Sequence, residues 1–253
     1  MGEVLEVDRR GRVLVLTMNR PEARNAIDQA LASAIEAAVT ELDEDPDLVV
    51  GVLTGAGGTF CSGMDLKAFA RGERVVTDRG FGGMTERPPE KPVIAAIEGW
   101  ALAGGCELAL ACDLLVAARD AQLGIPEVKR GLVAAAGGLS RLPHALPYPL
   151  AMELALTGDP ITAERAHALG MVNRLTEPGG ALDEALALAD RIAENGPLAV
   201  RTSKWLMATA AGWNDPDLWR RQQERVLEVM TSADATEGAT AFAEKRPPRW
   251  TGR

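Results

Sequence analysis

The sequence predicts an α/β fold followed by a helical region at the C-terminal end of the chain. Short apolar runs typical of buried strands alternate with longer segments whose apolar residues recur at helical spacing, and this alternation is the mark of α/β proteins. From Leu182 onwards the pattern is helical. We therefore expect an α/β body at residues 1–195 and a helical region at residues 196–253, with the boundary near Asn195.

The first predicted unit is a strand, a helix and a second strand. Arg12–Met18 and Leu48–Leu53 have the composition of strands. Between them, Asp28 is a suitable N-cap for a helix that runs to about Leu42. The apolar residues of that helix fall on one face, namely Leu31, Ile35, Val39 and Leu42.

Two segments of different character follow the second strand. A turn at Gly63 ends a brief extended piece, and Asp65 is predicted to cap a short helix. Arg71–Glu90 is polar, contains glycines and ends in prolines. We expect a mobile loop or a loosely held helix there.

The most informative stretch runs from Lys91 to Asp113. Val93–Ile97 is a continuous apolar run and is predicted as a buried strand. Glu98–Leu102 interrupts the run, and Ala103-Gly104-Gly105 allows a sharp turn. Cys106–Cys112 is then predicted as a buried helix, whose start leaves backbone N–H groups available to an anion or an oxyanion.

Glu107 is the single charged residue of that predicted helix. On an exposed helix it would merely complement the helix dipole. Its neighbours are apolar, however, and a buried carboxylate is costly unless it is paired or functional. The pattern therefore favours a functional role.

The second half of the body contains two further strands and a capped helix. Leu114–Ala118 and Met171–Leu175 are predicted as strands, and Thr162 as the cap of a helix that ends near Leu169-Gly170. In the C-terminal region, Asn195-Gly196-Pro197 separates two helices.

Two more helix starts are predicted further along. Asp215-Pro216 begins a third helix of this region, and Asp234 with Glu237 has the spacing of a capping box for a fourth.

Composition excludes several classes of function. The chain has 27 basic and 36 acidic residues, a net charge of −9, which disfavours a nucleic-acid surface. No apolar run is long enough to span a membrane, and the charged N-terminus does not resemble a signal peptide, so we expect no membrane partner.

The metal-ligating residue types are scarce. Three cysteines, Cys61, Cys106 and Cys112, are odd in number and lack metal-ligand spacing. His144 and His167 are the only histidines. We therefore expect no metal site, and reduced cysteines in a cytoplasmic protein.

Five segments together resemble the enoyl-CoA hydratase/isomerase (crotonase) family. They occur in family order and extend over essentially the whole chain. The segments are Asn19–Glu22 with Asn25-Ala26, Cys61–Lys67, Gly99–Leu108, Gly124–Glu127 and Gly238–Arg246.

The resemblance implies a fold and an assembly. Family members are built as a spiral of strand–strand–helix units that form two nearly perpendicular sheets. Their C-terminal helices usually assemble a homotrimer, or a hexamer that is a dimer of trimers. Their substrates are acyl-CoA thioesters, so coenzyme A enters with the substrate and no other cofactor is expected.

The resemblance also implies a catalytic site. It assigns the backbone N–H groups of Met64 and Gly104 to the thioester oxygen, and matches Glu107 and Glu127 to the two glutamates of family hydratases, at the family spacing (127 − 107 = 20). By that match Glu107 activates water and Glu127 transfers the α-proton. The resemblance supports the identity of the two glutamates more strongly than it supports this division of roles. Read without the family, Met64 and Gly104 are plain turn residues and Glu127 is a surface glutamate.

Basic residues are the candidates for coenzyme A. By family analogy Lys67 contacts a CoA phosphate, with Arg24 and Lys245 as weaker candidates of the same kind. A lysine that is only solvated is the alternative for Lys67.

This sequence departs from the family pattern at three places. Met64 stands where a small residue is common, and Ala103 replaces the first glycine of a triple-glycine run, which is tolerable if its φ is negative. Ala134-Ala135-Ala136 replaces a segment that often carries proline. Family members differ most across Arg71–Glu90, which would line the acyl site, so the acyl group is not readable from the sequence.

Three functions remain in competition. The resemblance favours a hydratase that adds water to a 2-enoyl-CoA. The alternatives are another reaction of the family, by an isomerase or a carnitinyl-CoA-type dehydratase, and a non-catalytic acyl-CoA-binding protein.

Overall fold

The structure is a computed structural model that describes residues 3–209 and 216–253. Its strands are β1 (Leu5–Arg10), β2 (Val13–Met18), β3 (Val50–Gly55), β4 (Val76–Thr77), β5 (Gly80–Phe81), β6 (Val93–Ile97), β7 (Trp100–Leu102), β8 (Leu114–Ala118), β9 (Gln122–Gly124), β10 (Ile161–Thr162) and β11 (Arg174–Thr176). Its α-helices are α1 (Gln29–Glu44), α2 (Leu66–Ala70), α3 (Gly104–Ala111), α4 (Gly138–Ala145), α5 (Tyr148–Thr157), α6 (Ala163–Ala168), α7 (Ala181–Ala193), α8 (Pro197–Thr209), α9 (Pro216–Met230) and α10 (Ala233–Glu244). Short 3₁₀ helices span Pro21–Ala23 and Pro126–Arg130.

Nine of the strands form a large and a small sheet, and β4 and β5 form a separate two-stranded hairpin. The large sheet has the order β1-β2-β3-β6-β8-β11, antiparallel between β1 and β2 and parallel elsewhere. The small sheet has the order β10-β9-β7, and a bridge between Cys61 and Ala101 adds a further segment to it. Successive units place one strand in each sheet: β6 and β7 lead into α3, and β8 and β9 follow. The predicted strand–strand–helix architecture is confirmed.

Both faces of the large sheet are covered, which explains its nearly continuous apolar strands. On β2, Val13 and Val15 belong to the core cluster that packs against α7, whereas Leu14 and Leu16 belong to the main core with α1 and α3. Alternation of side chains along one strand therefore feeds two separate apolar layers.

Local sequence signals correctly predicted most of the helices and strands of the body. The Asp28 carboxylate accepts a hydrogen bond from the Leu31 N–H at 2.9 Å, Asp65 caps α2, and the Thr162 hydroxyl caps α6. The strand predicted at Met171–Leu175 begins later in the structure, where β11 spans Arg174–Thr176. The strand β7 was missed, because its three residues lie in the segment predicted only as an interruption.

The predicted capping box of Asp234 and Glu237 is wrong. The helix α10 begins at Ala233, and the Ser232 hydroxyl accepts from the Ala235 N–H at 3.0 Å. A serine at the true N-cap position occupies the role that was assigned to Asp234. The third predicted helix does begin at Pro216, and Asp215 lies outside the described residues.

The two carboxylates hold the C-terminal end of the chain instead. Asp234 accepts from the backbone N–H groups of Thr251 at 2.6 Å and Gly252 at 2.9 Å. Glu237 pairs with Arg246 at 2.6 Å. These bonds fold the last residues back onto α10.

The segment at 71–90 is more ordered than the sequence predicted. It contains the β4–β5 hairpin, and Phe81 and Met84 are buried. The Arg79 guanidinium pairs with Asp43 on α1 at 3.1 Å. Apolar side chains in its second half pack into the core, so that half is not loosely held, and the mobility of the segment stays a prediction.

Polar contacts join the helical C-terminal region to the body. Lys204 of α8 pairs with Asp113 at 2.7 Å, and the Trp250 indole donates to the Glu194 carbonyl at 2.7 Å. The proposed boundary near Asn195 falls between α7 and α8, and the division into two units stays a prediction. None of the helices that the structure describes is long and apolar enough to cross a membrane.

Candidate active site

Two turns lie against each other at the edge of the small sheet. The Cys61 N–H donates to the Trp100 carbonyl at 2.8 Å, and the Leu102 N–H donates to the Cys61 carbonyl at 3.0 Å. A Cβ at Gly105 would lie 2.1 Å from the Cys61 oxygen, so only glycine permits this approach. A Cβ at Gly63 would lie 3.1 Å from the backbone nitrogen of Gly104. The residues on either side of the contact are those predicted to hold a thioester oxygen.

The backbone N–H groups of Met64 and Gly104 both lie at this contact. Gly104 is the first residue of α3, where N–H groups have no partner inside the helix. Among the residues that the structure describes, neither N–H donates a recorded hydrogen bond. Two donors without partners on adjoining turns are what an oxyanion requires, and their use for that purpose stays a prediction.

Ala103 has φ +53° and ψ −129°, so the condition under which alanine is readily tolerated here, a negative φ, is not met. Its carbonyl accepts from the N–H groups of Cys106 and Glu107 and starts α3, while its own N–H donates to the Gly124 carbonyl at 2.9 Å. These bonds fix both sides of the residue and force the backbone into a region that costs an L-residue about 1–3 kcal/mol. Glycine would adopt this conformation without the strain.

Glu107 lies in the first turn of α3 with 3% of its surface exposed. Its Oε1 accepts from the backbone N–H groups of Ala136 at 2.7 Å and Gly138 at 2.9 Å. Gly138 begins α4, so the carboxylate sits at that helix's N-terminal end. Burial raises the pKa of Glu107, and the two N–H bonds and the charge of Arg141 oppose that rise.

Glu127 belongs to the short 3₁₀ helix that follows β9, and its carboxylate has fewer hydrogen-bond partners than that of Glu107. Its Oε2 is buried and has no hydrogen-bond partner in the described part of the chain. Burial raises the pKa of Glu127 to about 7, and the charge of Glu107 adds to the rise. The two carboxylates therefore share one electrostatic environment, in which only Glu107 has backbone donors from another segment.

Cys106 lies beside both carboxylates. Burial, with smaller contributions from the charges of Glu127 and Glu107, raises the pKa of its thiol to about 12. The thiol is therefore protonated at neutral pH and unsuited to nucleophilic attack.

Arg141, on α4, is a site residue that the sequence reasoning missed. Its Nη2 donates to the Thr85 carbonyl at 2.6 Å and its Nη1 to the Ala136 carbonyl at 3.5 Å. The guanidinium thus ties the β4–β5 segment to the loop that binds Glu107. The sequence signal was faint, because a single arginine on a short helix of mixed composition resembles a solvated charge.

An apolar pocket of about 410 Å³ opens beside Glu127. It lies between α4 and α5, which contribute Leu139, Leu142 and Ala155, and Ile125 lines it next to Glu127. The sequence reasoning expected the acyl group to be bounded by 71–90 and placed part of the pocket wall at Ala134–Ala136, of which Ala134 lines this pocket. The contributions of α4 and α5 were not foreseen.

The three basic candidates for CoA binding lie in different parts of the structure. Arg24 stacks over the Trp100 ring at 4.7 Å from its centroid, and its carbonyl accepts from the Ser62 N–H, which places it beside the first turn. Lys67 is exposed on α2, close in sequence to Met64. Lys245 is the C-cap of α10, and within the described ranges no hydrogen bond or ion pair joins it to the other candidates.

Asn25 was quoted only as part of a motif, and the structure shows what it does. It is buried with φ +54°, and its amide donates to the carbonyls of Ala56 and Thr59 while its oxygen accepts from the Arg20 N–H. The side chain fixes the loop that carries Arg24 against the loop after β3.

Comparison with known proteins agrees with this fold. The family model for enoyl-CoA hydratase/isomerase matches residues 8–253. The chain belongs to this family. It is 42% identical over 261 residues to a carnitinyl-CoA dehydratase of Salmonella arizonae, with all of both chains covered.

Solved structures give the same result. An enoyl-CoA hydratase of Mycobacterium marinum is 60% identical with a TM-score of 0.97, and both chains are covered in full. A carnitinyl-CoA hydratase of Mycobacterium avium is 44% identical with a TM-score of 0.81, again over the whole of both chains. The names of these relatives thus specify two kinds of substrate, enoyl-CoA and carnitinyl-CoA.

Proposed function

We propose that the protein is an enoyl-CoA hydratase that adds water across the double bond of a 2-enoyl-CoA. The observation that carries the proposal is the unequal pair of carboxylates. Glu107 is held by two backbone N–H groups, whereas Glu127 has a buried oxygen without a partner and a pKa raised to about 7. Neighbouring carboxyl groups with separated environments are suited to opposite roles as base and acid.

The proposed reaction begins at the two turns. The thioester oxygen accepts from the N–H groups of Met64 and Gly104, which stabilise the negative charge that develops there as the β-carbon is attacked. Glu107, ionised, takes a proton from water while the water oxygen bonds to the β-carbon. The π electrons move to the enolate, and protonated Glu127 gives its proton to the α-carbon. Proton exchange with solvent then restores both groups.

The best-supported alternative is a carnitinyl-CoA-type dehydratase, which is the name of a relative at 42% identity. The same two carboxylates would serve it, because dehydration is the reverse of hydration. An isomerase needs one carboxylate, and a non-catalytic binder needs none. The buried, unpartnered Oε2 of Glu127 favours the two-carboxylate reactions over both, since an unused buried carboxyl would only destabilise the fold.

Assembly and CoA binding belong to the same proposal. Apolar side chains of α9 and α10 are exposed, Met230 at 70% and Phe242 at 87%, and a homotrimer or a hexamer made of two trimers would cover them. Arg24 and Lys67 are the proposed contacts for the CoA phosphates, with Lys245 a further candidate. The proposed reaction uses no cofactor beyond the CoA of the substrate.

The test is hydration of 2-enoyl-CoA thioesters of several chain lengths, followed by the loss of absorbance of the conjugated thioester. We expect Glu107→Gln and Glu127→Gln each to lower kcat by about 10²-fold or more with a smaller change in KM, because the loss falls in the transition state. The double variant should be little worse than the worse single variant. Near-normal hydration by Glu127→Gln would contradict the two-carboxylate mechanism, and hydration of no enoyl-CoA by the native protein would contradict the function.

A further inference from the structure

We infer that Arg20 is a positioning residue of the proposed reaction, and that its guanidinium keeps the Met64 N–H aimed at the thioester oxygen. The inference rests on the proposed function and adds to it a residue that acts without touching the substrate. Arg20 is the N-cap of the first 3₁₀ helix, and its side chain is 15% exposed. It contacts the two segments that together fix the direction of the donor.

The direction of the Met64 N–H follows from the peptide group to which it belongs. The Gly63 carbonyl of that peptide group accepts from the Ile27 N–H at 2.8 Å, and the Asp65 N–H donates to the Ile27 carbonyl at 2.9 Å. In a trans peptide the N–H points opposite to the carbonyl. The Met64 N–H therefore points away from Ile27, and a rotation or shift of the backbone at Ile27 would turn the donor with it.

Arg20 holds both segments of this backbone bridge through one side chain. Its Nη1 donates to the Ala26 carbonyl and its Nη2 contacts the Asp28 carboxylate at 3.1 Å, so it binds the residues on either side of Ile27. The same Nη2 donates to the Asp65 carboxylate, on the other segment, at 3.0 Å. The guanidinium thus ties together the two segments that form the bridge.

Both carboxylates that Arg20 contacts are also N-caps of helices. Oδ1 of Asp28 accepts from the Leu31 N–H at 2.9 Å at the start of α1, and Oδ1 of Asp65 caps α2 in the same way. Each carboxylate therefore has one oxygen on a helix and the other on Arg20. A planar guanidinium serves several acceptors in fixed directions, which an ammonium group does not. Two helix ends and one arginine form a rigid frame around the peptide group of Met64.

The alternative is that Arg20 only stabilises the fold. Removal of its guanidinium leaves two carboxylates without a counter-charge, and this destabilises a protein whatever else the arginine does. The two explanations differ once the charge imbalance is also removed. The triple variant Arg20→Met, Asp28→Asn, Asp65→Asn has no such imbalance, and asparagine keeps both helix caps. Its stability should recover, whereas the aim of the Met64 N–H should not.

The first measurement is the infrared spectrum of bound butanoyl-CoA with ¹³C at the thioester carbonyl. This saturated thioester has no double bond to hydrate, and N–H donors that polarise its carbonyl lower the stretching frequency. We expect a lowered frequency on the native protein. In the triple variant about half of that shift should be lost, because one of two donors is misdirected. Arg20→Lys, which keeps the charge but not the fork, gives the same comparison if the triple variant does not fold.

The second measurement is the hydration of 2-butenoyl-CoA. In the triple variant kcat should fall by about tenfold to 100-fold while KM changes by less than about threefold, because a misdirected donor weakens binding of the transition state most. The matched control is Asp43→Asn at the opposite end of α1. Asp43 pairs with Arg79 at 3.1 Å, and its side chain is 15% exposed, as is that of Asp28. This control should keep the native frequency and the native kcat.

Two results would overturn the inference. The first is a native carbonyl frequency and a native kcat in the folded variant, which would show that Arg20 only stabilises the fold. The second is a thioester whose frequency on the native protein equals that of the free thioester, because no donor would then be aimed at its oxygen. A native protein that lowers the frequency but hydrates no 2-enoyl-CoA would contradict the proposed function alone, so the two failures are distinguishable.

Discussion

At the scale of single residues, the partners of each carboxylate decide its chemistry. Glu107 and Glu127 are both withdrawn from water, but only Glu107 accepts from backbone N–H groups of another segment, those of Ala136 and Gly138, while Oε2 of Glu127 has no partner among the described residues. A carboxyl group that is buried without donors keeps its proton to a higher pH. The proposed roles of base and acid thus follow from the backbone N–H groups of the loop before α4. No side-chain motif in the sequence predicts these donors.

The raised pKa of Glu127 predicts a pH profile. If its protonated form is the acid, kcat for hydration should fall as pH rises through about 7, tenfold for each further unit. Hydration of a good substrate is measured between pH 5 and 9. A rate that stays constant between pH 7 and 9 would contradict the assignment of Glu127 as the acid.

The same pKa predicts a change in stability, because the folded state binds a proton at Glu127 that the unfolded state has lost between about pH 4.5 and 7. The free energy of unfolding should therefore decrease as pH rises across that window, by about 1–2 kcal/mol after allowance for partial exposure. Urea unfolding at pH 5 and pH 8 measures it. Glu127→Gln should lose this part of the pH dependence, whereas Glu153→Gln, an exposed control on α5, should retain it.

Arg141 offers a test of positioning as distinct from catalysis. Its charge lowers the pKa of Glu107, and its fork binds the carbonyls of Thr85 and Ala136. Arg141→Met should move the acidic limb of the kcat profile, which reports the ionisation of Glu107, to higher pH and lower kcat on that limb.

Arg141→Lys keeps the charge and should restore the position of that limb, even though it loses the fork. The control is Lys204→Met, which breaks the ion pair with Asp113 away from the site and should leave the profile unmoved. Identical profiles for the native protein and Arg141→Met would show that Arg141 has only a structural role.

At the scale of elements, the turn into α3 combines a function with a strained backbone. Ala103 adopts φ +53° because both of its peptide groups are fixed, by Gly124 on one side and by the first turn of α3 on the other. Ala103→Gly should therefore raise the free energy of unfolding by about 1 kcal/mol, the relief of strain being offset in part by the greater freedom of glycine in the unfolded chain.

Thermal or urea unfolding measures the effect of Ala103→Gly. The control is Ala101→Gly, because Ala101 is buried in β7, outside the positive-φ region, and glycine should destabilise it. A loss of stability in both variants would show that residue 103 is not strained in the native protein.

The elements that the sequence predicted are those whose causes are local. Asp28, Asp65 and Thr162 cap helices through bonds to residues two or three positions away, and apolar runs such as Val93–Ile97 become buried strands. The strand β7 escaped prediction because its existence depends on the distant partners Cys61 and β9.

The candidate site divides in the same way. Glu107 could be singled out because a charge in an apolar helix is visible in the sequence, and Glu127 only through the family resemblance. Arg141 and the α4–α5 pocket could not be found, since both arise where segments far apart in sequence meet: the guanidinium reaches Thr85 from α4, and Ile125 lines the pocket beside Ala155.

At the scale of the whole molecule, the helical region is poorly covered by its own chain. Leu227, Met230 and Phe242 are 63%, 70% and 87% exposed, although each is large and apolar. Isolated exposures of this kind are ordinary, but three on consecutive helices at the end of the chain are typical of a surface that another subunit covers. Polar contacts such as Lys204 with Asp113 join this region to the body and leave these three side chains uncovered.

We therefore expect light scattering at micromolar concentration to give three or six times the chain mass of 26.8 kDa. Phe242→Ser should shift the population towards smaller species, because it removes about 2–3 kcal/mol of hydrophobic burial at each contact. Val7→Ser is the matched control, since Val7 is an exposed apolar residue on β1, far in sequence from α10, and the assembly should be unchanged. A native protein that is monomeric at this concentration would contradict the proposal, because the exposed apolar face of α9 and α10 would then not be covered by another copy of the chain.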